Sequence, residues 1–176
     1  MNKPFDKTHS SLVTLNPGDL FFDKGNYIPH TLLGSCVAIT LWHPKEKVGG
    51  MCHYLLACRD KYVKNEHHPK GYYASDAIEY FNGKISKLGL DIRDFEAKLF
   101  GGGNILESPK EHLRSIDVAG QNVEVGKRLL EDYGYNVRVE DVGGVRYRHI
   151  YFELSTGDVW VKYGKYSKTE DPHKNN

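Results

Sequence analysis

Apolar and polar positions along this chain fall into short runs with two different periods. Cys36 to Trp42 and Val48 to Leu56 are largely apolar, and the polar stretch His43-Pro44-Lys45-Glu46-Lys47 joins them. That pattern predicts two buried strands with a reversal between them. Upstream, Ser11 to Phe22 predicts two short strands around the turn composition Asn16-Pro17-Gly18-Asp19. Cys58 to Tyr72 is charged, carries His67-His68-Pro69, and reads as a surface loop. Ile78, Phe81, Ile85 and Leu88 then recur at helical spacing. Ser75 is the expected cap, Asp76 and Glu79 suit the first turn, and Gly89 is the stop. Gly83 inside this helix weakens it slightly. Ala97 to Phe100 predicts a short buried strand running into Gly101-Gly102-Gly103-Asn104. A second helix is expected from Asn122, as cap, to Tyr133, with Val125, Leu129 and Tyr133 on one face and Gly134 at its end. Val137 to Val142 is strand-like and ends at Gly143-Gly144. Arg148 to Leu154 and Asp158 to Tyr163 flank Ser155-Thr156-Gly157, a hairpin signal. Two helices among about eight or nine strands predict an α+β or layered α/β fold around mostly antiparallel sheets.

Composition narrows the class. The chain has 176 residues and a formal net charge of +1. That length suits one domain with a real core, expected over about 11–164, with flexible tails at 1–10 and 165–176. The near balance of charge gives no field that points to nucleic acid. No apolar run approaches the roughly 18–20 residues of a membrane span, and the polar N-terminus lacks the apolar centre of a signal peptide. Cys36, Cys52 and Cys58 are an odd count, poorly suited to a secreted disulfide framework. A cytoplasmic protein with reduced thiols, no nucleic-acid partner and no membrane insertion is the expectation.

The candidate chemistry lies in the apolar pair of strands. If the reversal is centred between Pro44 and Lys45, Trp42 faces Lys47, Leu41 faces Val48, and Cys36 faces His53. Directly opposed residues of an antiparallel pair share a face, with Cβ atoms roughly 4.5–5.5 Å apart. A thiol and an imidazole so placed share a proton, which is what a cysteine nucleophile requires. A slip of one residue would separate them to opposite faces. Gly34 and Ser35 precede Cys36; small residues there admit a substrate carbonyl and free N–H groups for an oxyanion. The plainer reading of Cys36 is a small buried apolar residue, and that of His53 is a satisfied core histidine. Thr31 stands where a hydroxyl would orient the imidazole, His30 beside it competes for that role, and a β-propensity threonine is the plainer reading.

Other constellations are weaker. Cys36, Cys52, His53 and Cys58 match zinc in number but not in spacing, since adjacent Cys52 and His53 point to opposite faces of a strand. Gly101-Gly102-Gly103-Asn104 is neither a Walker motif nor G-x-G-x-x-G. It suits a tight backbone lining a site, with Asn104 a candidate for substrate binding beside Gly34 and Ser35, and equally a plain turn. His67-His68 fits a solvated loop better than a metal.

These blocks together resemble the chemoreceptor glutamine deamidases (CheD). The resemblance rests on Leu32-Leu33-Gly34-Ser35-Cys36-Val37-Ala38, Gly49-Gly50-Met51-Cys52-His53, Ala97-Lys98-Leu99-Phe100-Gly101-Gly102-Gly103-Asn104, Asp141-Val142-Gly143-Gly144 and Thr156-Gly157-Asp158-Val159, in the family's order. It implies a three-layer α/β/β sandwich and hydrolysis of chemoreceptor glutamine side chains to glutamate. On this implication Cys36 is the nucleophile, His53 the base, and Thr31 or His30 the third residue, with no metal or organic cofactor. Chemoreceptor cytoplasmic helices are the implied substrate and a CheC-type phosphatase an implied partner; a non-catalytic module regulating that phosphatase is the alternative. The chain departs from the family pattern at Leu56-Ala57-Cys58, at Tyr147 before the retained Arg148, and around Gly120-Gln121-Asn122.

Overall fold

The computed structural model of the protein describes residues 10–59, 67–105 and 117–164. Residues 1–9 and 165–176, within the expected tails, and 60–66, within the expected Cys58–Tyr72 loop, lie outside the described residues. Among the described residues the chain is a mixed α/β fold of two sheets, two α-helices and one short 3-10 helix, Ile92–Asp94. In order its strands are β1 (Ser11–Thr14), β2 (Leu20–Lys24), β3 (Tyr27–Leu33), β4 (Val37–His43), β5 (Val48–Cys52), β6 (Glu96–Gly101), β7 (Asn136–Val142), β8 (Arg148–Phe152) and β9 (Val159–Tyr163). Helix α1 (Ala74–Lys87) follows β5, and α2 (Val118–Asp132) lies between β6 and β7.

The strands form a four-stranded sheet, β1-β3-β8-β9, and a five-stranded sheet, β2-β5-β4-β6-β7. Each contains one parallel pair, β1 with β3 and β6 with β7. The sheets are therefore mixed, which corrects the expectation of mostly antiparallel ones. The reason lies in the connections. The two short strands flanking Asn16–Asp19 do not pair with each other: β1 joins one sheet and β2 the other. Between β6 and β7 the chain passes through α2, and a crossover of that length permits parallel pairing.

Strands β4 and β5 are buried along nearly their whole length, because side chains on both faces meet core. Val37, Ile39, Leu41, Cys52 and Tyr54 join one cluster with Ala77, Ile78, Phe81 and Ile85 of α1 and Leu130 of α2. Ala38 and Met51 join a second with Phe100, Leu33, Ile150 and Phe152, residues drawn from both sheets. Cys36 is partly buried against that second cluster. Central strands with two apolar faces read as continuous apolar runs, as these do.

Local expectations fail in four places. The hairpin of β4 and β5 pairs Trp42 with Gly49 and Leu41 with Gly50, two residues away from the expected register. The Lys47 N–H donates to the His43 carbonyl at 2.8 Å and Lys47 takes a positive φ of 50°, so the loop keeps all of Pro44–Lys47 and moves the centre of reversal. A shift of two residues preserves the faces, but it places Ala38, not the expected Cys36, opposite His53. Ser75 does not cap α1: Tyr73 holds that position without a side-chain bond, and the Ser75 hydroxyl bonds Asp76 at 3.3 Å. Nor is Asn122 the cap of α2, which begins four residues earlier; the Asp117 carboxylate accepts from the Gly120 N–H at 2.8 Å instead. Strand β3 was not foreseen, since Pro29 and His30 interrupt its apolar pattern.

Candidate active site

His53 follows the last residue of β5 and is held at both backbone groups by the turn between β1 and β2. The Gly18 N–H donates to its carbonyl at 2.7 Å, and its own N–H donates to the Asp19 carbonyl at 3.2 Å. The same turn brings the Leu15 carbonyl against β3. There the Thr31 hydroxyl donates to the Leu15 carbonyl at 2.8 Å and lies 2.7 Å from His53 Nδ1. A hydroxyl has one proton. Because the Leu15 carbonyl only accepts, Thr31 gives its proton there and must accept from the Nδ1–H of His53. The neutral imidazole therefore carries its proton on Nδ1 and its lone pair on Nε2. Both residues are buried, Thr31 at 1 % and His53 at 2 % exposure.

Thr31, not His30, is thus the neighbour that bonds the imidazole. Successive residues of a strand face opposite ways. His30 lies on the other face of β3, stacked on the Tyr151 ring at 4.4 Å between centroids.

Cys36 lies in the turn that leads into β4, half-buried. The Val37 N–H donates to the Tyr54 carbonyl and the Tyr54 N–H to the Val37 carbonyl, at 3.1 and 2.9 Å. This bridge ties the turn to the chain just past His53. By strand parity Cys36 and His53 share the side of Ala38 and Met51, the side of the cluster common to both sheets. Among the described residues nothing donates a hydrogen bond to the buried His53 Nε2, so the expected thiol–imidazole bond is not made at rest. Burial pushes the Cys36 thiol above the ordinary cysteine range, offset in part by its own backbone N–H. Burial pushes His53 down to about 4, with Asp19 opposing weakly. The resting pair is a neutral thiol and a neutral imidazole with an open lone pair, rather than a thiolate–imidazolium pair.

The carbonyls around Cys36 are all engaged. Gly34 O accepts from the Gly103 N–H at 2.8 Å, and Cys36 O from the Gly102 N–H at 2.9 Å. Ser35 O accepts from the Asn122 side chain at 3.4 Å. Among the described residues no backbone carbonyl accepts from the N–H of Ser35 or Cys36. The glycine run makes this close approach possible. A Cβ on Gly101 would lie 2.3 Å from Cys36 O, and one on Gly102 would lie 2.2 Å from Val123 Cγ2; both glycines have positive φ. The run that read equally as a plain turn therefore packs against the Cys36 turn. The Asn104 N–H donates to the Gly144 carbonyl at 2.7 Å.

Two residues were missed in the sequence. Arg148, buried at the start of β8, donates to Asp141 at 3.0 Å, to the Gly143 carbonyl at 2.6 Å and to the Gly101 carbonyl at 3.5 Å, and so bridges the two glycine turns. Asn122 looked like a cap. The remaining cysteines are elsewhere: Cys52 lies in the helix-side cluster with its thiol pushed up to about 12 by burial, and Cys58 is exposed. Among the described residues no three His, Cys, Asp or Glu side chains gather to hold a metal ion, and no helix is long and apolar enough to cross a membrane.

Fold and site define a two-sheet, two-helix protein with a buried histidine bonded to a threonine, and a half-buried cysteine on the same side of the central strand pair. Comparison with known proteins places it more narrowly. The family model CheD, CheD chemotactic sensory transduction, matches residues 55–163. A probable chemoreceptor glutamine deamidase CheD 3 from Dechloromonas aromatica is 40% identical over 86% of this chain and 86% of its own. A probable chemoreceptor glutamine deamidase CheD 1 from Chromobacterium violaceum is 39% identical over 92% of this chain and 82% of its own. One from Pseudomonas fluorescens, likewise a probable chemoreceptor glutamine deamidase CheD, is 39% identical over 93% and 89%. The chain belongs to the CheD family.

Proposed function

We propose that this protein is a chemoreceptor glutamine deamidase that uses Cys36 as nucleophile and His53 as base. The observation that carries this reading is the fixed tautomer of His53. Its Nδ1–H is spent on Thr31, which leaves the Nε2 lone pair open, and His53 lies on the side shared with Cys36. A non-catalytic module regulating a CheC-type phosphatase gives no reason to bury a histidine so arranged. The two core clusters support the three-layer α/β/β order, with the five-stranded sheet in the middle.

In the proposed reaction Nε2 takes the Cys36 thiol proton as sulfur attacks the carboxamide carbon of a glutamine. The N–H groups of Ser35 and Cys36, from which no backbone carbonyl of the described residues accepts, hold the developing oxyanion. The tetrahedral species collapses, the proton on Nε2 passes to the departing nitrogen, and ammonia leaves a thioester. Water gives a proton to Nε2 and its oxygen to the acyl carbon; the thiolate leaves and recovers the proton. One glutamine and one water give one glutamate and one ammonia. Because thiol and imidazole are both neutral at rest, proton transfer accompanies attack. The new carboxylate alters the charge of a chemoreceptor helix. A substrate on the cytoplasmic helices of a receptor supports a cytoplasmic location.

Ammonia release from a receptor cytoplasmic fragment tests this. Wild type should release it, and neither Cys36→Ala nor His53→Ala should. Turnover by Cys36→Ala at the wild-type rate would remove the assignment.

A further inference from the structure

Asn122 is buried at 1 % exposure in the first half of α2, where an apolar residue would serve helix packing better. Its Nδ2 donates to the Leu55 carbonyl at 2.7 Å and faces the Ser35 carbonyl at 3.4 Å. Both partners are carbonyls, which fixes the amide orientation: nitrogen toward the site, oxygen away. The Oδ1 then has no hydrogen-bond partner among the described residues. A buried amide with an unsatisfied acceptor costs stability, so the residue is not there for packing. Its backbone is engaged as well, since the Tyr54 hydroxyl donates to the Asn122 carbonyl at 2.7 Å. The helix thus grips the chain at Ser35, Tyr54 and Leu55. Ser35 immediately precedes Cys36; Tyr54 and Leu55 immediately follow His53.

We propose that Asn122 is a positioning residue. Its single amide ties the carbonyl before the nucleophile to the carbonyl two residues past the base, and so sets the spacing of Cys36 and His53 from α2. Fixing the Ser35 carbonyl toward the helix also turns the next peptide N–H, that of Cys36, away from it. This rests on Cys36 and His53 being the reacting pair. Among the described residues the hydrogen bonds of the Asn122 side chain go to Ser35 and Leu55, not to Cys36 or His53, so its loss leaves the chemistry available but badly aligned, which lowers kcat rather than raising KM.

The test uses the full chain with Cys58→Ser as background, since Cys58 is the exposed thiol and Cys52 is buried. Asn122→Ala is compared with Leu130→Ala, a truncation on the same helix in the helix-side core. Steady-state ammonia release from a receptor fragment is measured at a temperature where unfolding curves show each variant folded. Asn122→Ala is expected to lower kcat at least tenfold with KM within about threefold. Leu130→Ala is expected to lower the melting midpoint but leave kcat within twofold. Asn122→Asp, which preserves size, covers failure of the alanine variant to fold. Its carboxylate cannot donate but its protonated acid can, so its kcat relative to wild type should rise as pH falls. The inference is overturned if either folded Asn122 variant keeps kcat within twofold at pH 7, or if Leu130→Ala loses as much kcat. Cys36→Ala runs alongside. If it is inactive while the Asn122 variants are fully active, only the positioning role fails; if it is active, the nucleophile assignment fails first.

Discussion

Replacing Thr31 by valine keeps the volume and branching of the side chain and removes one oxygen. That oxygen satisfies two buried groups, the Leu15 carbonyl and the His53 Nδ1–H. At 1 % exposure for Thr31 and 2 % for His53, solvent does not replace it. Leaving a buried polar group unsatisfied costs about 1–3 kcal/mol, so two such groups cost about 2–4 kcal/mol once local relaxation is allowed. In a chain of this size that is a drop in melting midpoint of roughly 5–15 °C. The effect on rate is separate. With no acceptor at Nδ1 the proton can reside on Nε2, where it blocks uptake of the Cys36 proton. The imidazole also loses the contact that orients it. General-base catalysis contributes about 10²–10⁴-fold, and kcat for Thr31→Val should fall by about tenfold or more at a temperature where the variant is folded. Thr31→Ser, which keeps the hydroxyl, should recover most of the rate. Ammonia release measures kcat, thermal unfolding measures stability, and nitrogen chemical shifts of His53 report the tautomer. A folded Thr31→Val with wild-type kcat, or with His53 still protonated on Nδ1, would refute the reasoning.

With His53 held down to about 4, the acid limb of kcat/KM should fall near pH 4 and leave the rate flat from about pH 5 to 8; a limb near the ordinary histidine value would show that the imidazole is not desolvated. The same shift makes stability depend on pH. His53 is neutral in the fold down to about pH 4 but protonates near 6.5 when unfolded, so stability falls as pH drops from 6.5 toward 4, by on the order of 3 kcal/mol; an unfolding free energy that is flat over this range in wild type but not in His53→Phe would contradict it. Gly101→Ala puts a methyl 2.3 Å from Cys36 O at a positive φ, and should cost about 2 kcal/mol or more in unfolding and lower kcat, whereas Gly83→Ala, with open space around it, should be neutral or stabilising. Cys58→Ser should leave activity unchanged, while Cys52→Ser should lower the melting midpoint without abolishing turnover by folded protein.

The apolar runs of β4 and β5 were legible because both faces of a central strand are buried, and a two-residue error in their register left the faces intact because faces repeat every second residue, although it puts Ala38 rather than Cys36 opposite His53. The turn chemistry that caused the error was not legible: keeping four residues in the loop depends on Lys47 adopting a positive φ, which its side chain does not advertise. Thr31 and His30 could not be separated until β3 was seen as a strand, at which point alternation alone divides them. The mixed pairing was hidden because β1 and β2, adjacent in sequence, belong to different sheets. Asn122 was misread for a physical reason. Asparagine is a strong cap residue, and a helix-interior asparagine is recognisable only through the two carbonyls it serves, which lie far away in sequence. Arg148 likewise acts through backbone oxygens of glycine turns, which carry no sequence signature of a partner.

The central claim is that Cys36 converts glutamine to glutamate. Mass spectrometry of a receptor cytoplasmic fragment, incubated with wild type and with Cys36→Ala, addresses it most directly. The account predicts a gain of about 1 Da per modified glutamine with wild type, because OH replaces NH₂ when the thioester is hydrolysed, and no gain with Cys36→Ala. An unchanged fragment mass with folded wild-type protein, or the same gain with Cys36→Ala, would contradict it.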